Sequence, residues 1–184
     1  MKKLKNFWWL ALGLAACSFP FNYTLNLMDH VGGEWLEGTF QVGAGGISPN
    51  PKLLGPAQIN YTPDSRVALS GATLELKVCF TSETPGATFS GDLRYTAYLG
   101  GDAGTLFEAQ NQVAQGSGEV SGLSSGPVCV EKQASLSPAQ LQAVRSGTFY
   151  VGASISGSAQ SGQQATLRYR AEVFRLHLSG TAQP

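Results

Sequence analysis

Thr73-Leu74-Glu75-Leu76-Lys77-Val78-Cys79-Phe80-Thr81 alternates without a break, with Leu74, Leu76, Val78 and Phe80 on one parity and Glu75, Lys77 and Cys79 on the other. Successive side chains of a strand point to opposite faces, so this segment reads as a strand with one face in a core and one in solvent. Working outward, the same criterion marks strands at Phe21 to Leu27, Glu34 to Val42, Gln58 to Tyr61, Arg66 to Leu69, Asp92 to Leu99, Leu106 to Val113, Val128 to Glu131, Phe149 to Ser156 and Ala165 to Leu178. Turn clusters separate them at Gly43 to Gly46, Pro49 to Pro51, Pro85-Gly86, Gly100-Gly101, Ser121 to Pro127 and Ser156 to Gly162. Short strands with frequent turns predict an all-β fold, an antiparallel β-sandwich of immunoglobulin-like architecture with about eight or nine strands.

Two local features refine this. Ser137 as N-cap, Pro138 at the first helical position and Gln140 three residues after the cap form a capping box, which predicts one connector helix near 138–146, closed by Gly147. In the last strand the apolar parity changes, from Leu167, Tyr169, Ala171 and Val173 to Phe174, Leu176 and Leu178. A bulge or a crossing between sheets near Val173-Phe174 is needed to restore one core face.

The chain has 184 residues, enough to bury roughly two-thirds of its unfolded surface in one core. Charged residues are 13% of the total and cancel to zero, with no block of like charge beyond the first five residues, which argues against extended nucleic-acid binding.

The amino terminus carries Lys2, Lys3 and Lys5, then an apolar run from Phe7 to Ala16, then Cys17. Ten apolar residues rise only about 15 Å as a helix, half of a bilayer's hydrocarbon core. An export signal fits better than a spanning anchor. Leu14-Ala15-Ala16-Cys17 resembles the lipobox of bacterial lipoprotein precursors. The resemblance covers the first 17 residues and implies a cleaved signal peptide at 1–16, with Cys17 carrying diacylglycerol and usually a further acyl chain such as palmitate. It also implies a membrane partner through that lipid and a place in the cell envelope. Ser18 after the cysteine implies the outer membrane in a didermal bacterium, and otherwise the site is the outer face of the cytoplasmic membrane. A short tether at 17–21 and a single domain at 22–184 follow. Removing the signal leaves a mildly acidic mature domain at about −3, because three basic residues depart and every acidic one stays. Separately, Leu136 to Val151 is similar to the helix-to-strand segment of CHRD-type domains. The histidine-containing segment and the closing Gly-Glu-Ile-Arg-Gly pattern of that family are absent, and no function is carried over.

In an exported protein the remaining cysteines, Cys79 and Cys129, are expected to pair. Both fall on the polar parity of their strands, and no Trp lies between them, so the bridge is expected on an outer face or edge between neighbouring strands, unlike the immunoglobulin core disulfide.

Candidate chemistry is sparse. His30 and His177 are the only histidines, too few for a transition-metal site once the cysteines are assigned. Gly122-Leu123-Ser124-Ser125-Gly126 has the spacing of a nucleophile elbow, but Pro127 and a strand follow it where a helix is required, so it reads as a loop. Asp102, among turn glycines, is a single carboxylate where calcium needs six to eight oxygens. Pairing Ser156 with Thr166 in a last hairpin sets Ser154 beside Arg168, Gly152 beside Arg170 and Tyr150 beside Glu172. That register predicts a trough with two guanidiniums flanked by Tyr150, able to hold an anion or sugar, or else a plain solvated face; a carbohydrate-binding reading would use Tyr98 and Tyr150 with the Arg168 and Arg170 pair. No catalytic residue and no cofactor beyond the lipid on Cys17 are expected. The preferred reading is a membrane-anchored binding or envelope-structural module acting through protein contacts. The alternatives are a small envelope hydrolase and a lipoprotein that binds carbohydrate or another small ligand.

Overall fold

The computed structural model describes residues 18–183. In chain order the strands are β1 (Phe19–Asn26), β2 (Glu37–Gly43), β3 (Gly46–Ser48), β4 (Lys52–Asn60), β5 (Val67–Ser82), β6 (Phe89–Ser90), β7 (Asp92–Gly100), β8 (Gln112–Glu119), β9 (Val128–Ser135), β10 (Thr148–Gly157), β11 (Gln160–Ser161) and β12 (Ala165–Ala182). The helices are α1 (Gly33–Leu36) and α2 (Pro138–Arg145). Nine of the strands have seven or more residues, which matches the expected sandwich.

One sheet has the order β3-β2-β12-β5-β9, and the second has β4-β10-β7-β8. Within the first, β12 pairs with β5 along nearly its whole length, while its other edge is shared: β2 takes Ala165 to Arg170 and β1 takes Arg175 to Ala182. The core lies between the sheets. Leu74, Leu76, Val78 and Phe80 of β5 are buried on the inner face, as are Phe149, Val151, Ala153 and Ile155 of β10. Aromatic rings fill the space near β12, with Trp35 tilted against Phe174 at 4.4 Å and Phe40 set edge-on to Phe80 at 6.2 Å.

The phase change in the last strand is a bulge. Ala171 opposes Val78 and Val173 opposes Lys77, so Glu172 is the extra residue. Leu167, Tyr169 and Ala171 before it, and Phe174, Leu176 and Leu178 after it, all reach the same core. Glu172 is left outside, where it pairs with Lys77 at 2.8 Å. The capping box also forms: Ser137 N donates to Gln140 Oε1 at 2.8 Å and Gln140 N to Ser137 Oγ at 3.3 Å. Gln140 Nε2 donates to Gln112 O at 3.1 Å, so the cap ties α2 to β8.

Three expectations are corrected. Leu106 to Val113 is not a strand, and β8 begins only at Gln112. Asp102 Oδ1 accepts from Gly104 N and Thr105 N and closes a turn, after which buried Leu106 and half-buried Phe107 lie over the side of Gly152 that has no side chain. Glu34 to Val42 starts as the helical turn α1 before becoming β2. Finally, β10 and β12 form no hairpin. Both edges of β10 are occupied, by β4 and β7, and the segment from Gly157 to Gln164 carries the chain to the other sheet by way of β11. The crossing begins at Gly157, whose φ is +140° and whose missing Cβ would lie 2.3 Å from Asp92 O.

The disulfide stands where the parity placed it. Cys79 and Cys129 are direct partners across β5 and edge strand β9, with Cα atoms 4.0 Å apart. It closes a separation of 50 residues, worth about 4 kcal/mol on the chain-entropy model. The Cys79→Ala plus Cys129→Ala variant is therefore expected to melt about 10 °C below the oxidised protein. Equal melting temperatures by circular dichroism would remove the bridge from the account of stability.

Candidate functional site

The expected arginine trough is not assembled, because its residues belong to different sheets. Arg168 stands on the outer face of the first sheet opposite Thr39 and Thr81, where it bridges Glu37 at 3.5 Å and also pairs with Glu83. Arg170 follows on that face, exposed, opposite Glu37 and Cys79. Tyr150 opposes Gly100 and Gln58 in the second sheet. Tyr98 opposes Gly152 there, with its hydroxyl 3.5 Å from Ser154 Oγ and its ring edge-on to Phe107 at 5.4 Å. The arginines thus face acidic and hydroxyl side chains across the sandwich from the tyrosines.

The other candidates resolve locally. Among the described residues no three His, Cys, Asp or Glu side chains gather as a metal site. In the Gly122 to Gly126 loop, Ser124 Oγ donates to Ser121 O and Ser125 Oγ to Gly122 O, each at 3.0 Å. Both hydroxyls are engaged by the turn. Cys17 lies outside the described residues.

A polar chain missed in the sequence runs across the outer face. Thr24 of β1 is the register partner of His177, and Glu75 of β5 that of Arg175. His177 Nδ1 lies 3.0 Å from Thr24 Oγ1, and His177 Nε2 lies 2.7 Å from Glu75 Oε2. A neutral imidazole donating from Nε2 to the carboxylate accepts the threonine hydroxyl at Nδ1. Arg175 Nε reaches the same Oε2 at 3.1 Å. The hydrogen bond from His177, and after it the charge of Arg175, hold the Glu75 carboxyl below its ordinary value of 4.5 against the opposing effect of burial. Hydroxyl, imidazole and carboxylate in this order are the parts of a nucleophile, its base and an orienting group. A depression of about 300 Å³ beside Thr24 is lined by Met28, Phe174 and Arg175 among others. No local pattern announces this chain, since its members are 102 and 153 residues apart and meet only through the register of β1 and β5 on β12.

Two further concavities flank the sandwich. One, of about 470 Å³, is polar and includes Glu34, Trp35, Lys52 and Tyr169. Tyr169 donates its hydroxyl to Glu34 O at 2.6 Å, and Lys52 Nζ sits 5.9 Å from the Tyr169 ring. Trp35 Nε1 is the one buried side-chain donor among the described residues without a partner. The other concavity, about 270 Å³, is mostly apolar and lies where β1 runs off the end of the core, lined by Phe21, Tyr23, Tyr61, Pro63, Leu69 and Leu178. At its rim Arg66 grips Asp64 with two side-chain hydrogen bonds, of 3.1 and 2.7 Å, and its backbone N–H adds a third. These bonds hold the Asp64 carboxyl down to about 2.

No family model matches this chain, and neither does any curated protein. Among solved structures it is similar to the infectious bursal disease virus Gt strain structure, at 13% identity and TM-score 0.38 over 89% of this chain and 38% of that one. It thus spans little more than a third of that viral chain. It is also similar to the semi-empty virus-like particle of giant freshwater prawn Macrobrachium rosenbergii nodavirus, at 9% identity and TM-score 0.29, covering 100% of this chain and 93% of that one. A bacterial lipoprotein from Bacteroides thetaiotaomicron gives 8% identity and TM-score 0.26 over 90% and 84%. Likenesses at these scores bear on neither the activity nor the assembly of this chain. No helix among the described residues is long and apolar enough to cross a membrane.

The geometry at Glu75 sets a pH dependence. A carboxyl whose folded pKa is depressed contributes stability above its unfolded pKa, and that contribution is lost as pH falls through the folded value. Glu75→Gln is therefore expected to melt below the wild type at pH 7, with the gap closing as the pH falls below the ordinary value of 4.5. A gap of equal size at both ends of a melting-temperature series would contradict this role.

Proposed function

We propose that this chain is a lipid-anchored lipoprotein of the bacterial cell envelope, whose sandwich serves as a binding or structural module through protein contacts. The observation that carries the reading is the spacing at the amino terminus: Leu14-Ala15-Ala16-Cys17 is followed by β1 at Phe19. A diacylated cysteine at that point holds a domain stably, since each buried methylene contributes about 0.8 kcal/mol and two chains suffice. A tether this short keeps the sandwich close to its membrane. The module reading is favoured by the outer face of the first sheet, where Arg168, Lys77 and Arg175 are already paired with Glu37, Glu172 and Glu75. Such a face suits broad contact better than capture of a small charged ligand.

Growth with labelled palmitate tests the anchor: wild type is expected to take up label and Cys17→Ala to take up none. Crosslinking in native membranes tests the module, and a discrete envelope-protein adduct is expected. Label retained by Cys17→Ala would overturn the first part, and a wild type that crosslinks to no protein would overturn the second.

One observation favours a hydrolase as the second reading, namely Thr24, His177 and Glu75 in hydrogen-bonded order. That reading requires ester or amide hydrolysis by the wild type that falls about 100-fold or more in His177→Ala without a change in melting temperature.

A further inference from the structure

Phe19, Phe21, Tyr23 and Leu25 share the inward parity of β1, yet only Leu25 is covered by the core. Phe19 is 59% exposed and Tyr23 50%, two of the three large apolar side chains so exposed among the described residues. The Phe21 and Tyr23 rings stack at 6.4 Å, and with Tyr61, Pro63, Leu69 and Leu178 they line the apolar groove. The sandwich leaves this patch open because β4 ends at Asn60 and the chain turns away through Tyr61 to Asp64. The ionised groups at the rim, Asp64 and Arg66, cancel in one tight pair. Contiguous exposed aromatic surface marks an interaction site.

The covalent chain says which partner suits it. Cys17 is two residues before Phe19, so any acyl group on it enters the bilayer within about 7 Å of the patch. Tyrosine and other aromatic rings favour the boundary between headgroups and acyl chains, where the ring is buried and the hydroxyl stays wet. We propose that this end of the sandwich is a lipid-contact surface, with Phe19, Phe21 and Tyr23 and the adjoining groove seated in the phospholipid leaflet that holds the Cys17 lipid. The inference rests on the acylation of Cys17. It adds an orientation: β12 runs away from the patch from Ala182 to Ala165, roughly 55 Å at strand rise, and carries the Gly43 to Gly46 turn outward.

The test uses the full chain, processed in a bacterial host and reconstituted in phosphatidylcholine vesicles with brominated acyl chains, which quench nearby tryptophan. Trp35 is 4% exposed and is the internal reference. Tyr23→Trp is expected to lose at least half of its added emission relative to unbrominated vesicles, and Gln163→Trp, at the far end, to lose none. Absent quenching at position 23 in protein whose mass shows lipid on Cys17 overturns the lipid contact. So does a crosslink from position 23 to a protein. If the mass shows no lipid, the anchor reading fails and the lipid contact falls with it, an outcome distinct from absent quenching in lipidated protein.

Discussion

The antiparallel ladder between β5 and β12 is the interaction on which the other strands depend. It runs from Leu167 opposite Ser82 to Ala182 opposite Val67, longer than any other pairing among the described residues. Three further strands of that sheet join it directly, β9 on the free edge of β5, and β2 and then β1 along β12, and β3 is added through β2. A run of this length would twist its two halves onto different faces without the bulge at Glu172. With it, Tyr169 and Phe174 enter one core. The same bulge sets the outer face, where Arg168, Glu172, Arg175 and His177 come into line and meet Glu37, Lys77 and Glu75 on the neighbouring strands.

Much of this was legible because alternation is a local property. The parity of Thr73 to Thr81 put Leu74, Leu76, Val78 and Phe80 inside and Cys79 on the outer side, and the structure agrees. The capping box was equally local, with all its partners within four residues. Strand adjacency is different in kind. Phe149 to Ser156 and Ala165 to Leu178 have compatible alternation and a turn between them, which fits a hairpin as well as a crossing. The competition that decides, two partners already flanking each strand, lies in residues far along the chain. With that register went the trough of Arg168, Arg170 and Tyr150. Leu106 to Val113 misled for another reason: Leu106 and Phe107 are apolar because they pack over Gly152, not because they sit in a sheet. Thr24, His177 and Glu75 could be found only once β1 and β5 were both set against β12.

Exposure then separates the faces by chemistry. The outer side of the first sheet is charged and paired within itself. The end at β1 is aromatic and nearly free of net charge, and it adjoins the residue read as the acyl anchor. A tethered domain has one end that must meet its membrane and other faces free for protein contacts, and this distribution of side chains suits that division.

The intact mass of the protein extracted from bacterial membranes tests the central claim most directly. The account predicts a chain that begins at Cys17, carries diacylglycerol there and is oxidised at Cys79 and Cys129. A chain that begins elsewhere, or that begins at Cys17 with an unmodified thiol, would contradict it.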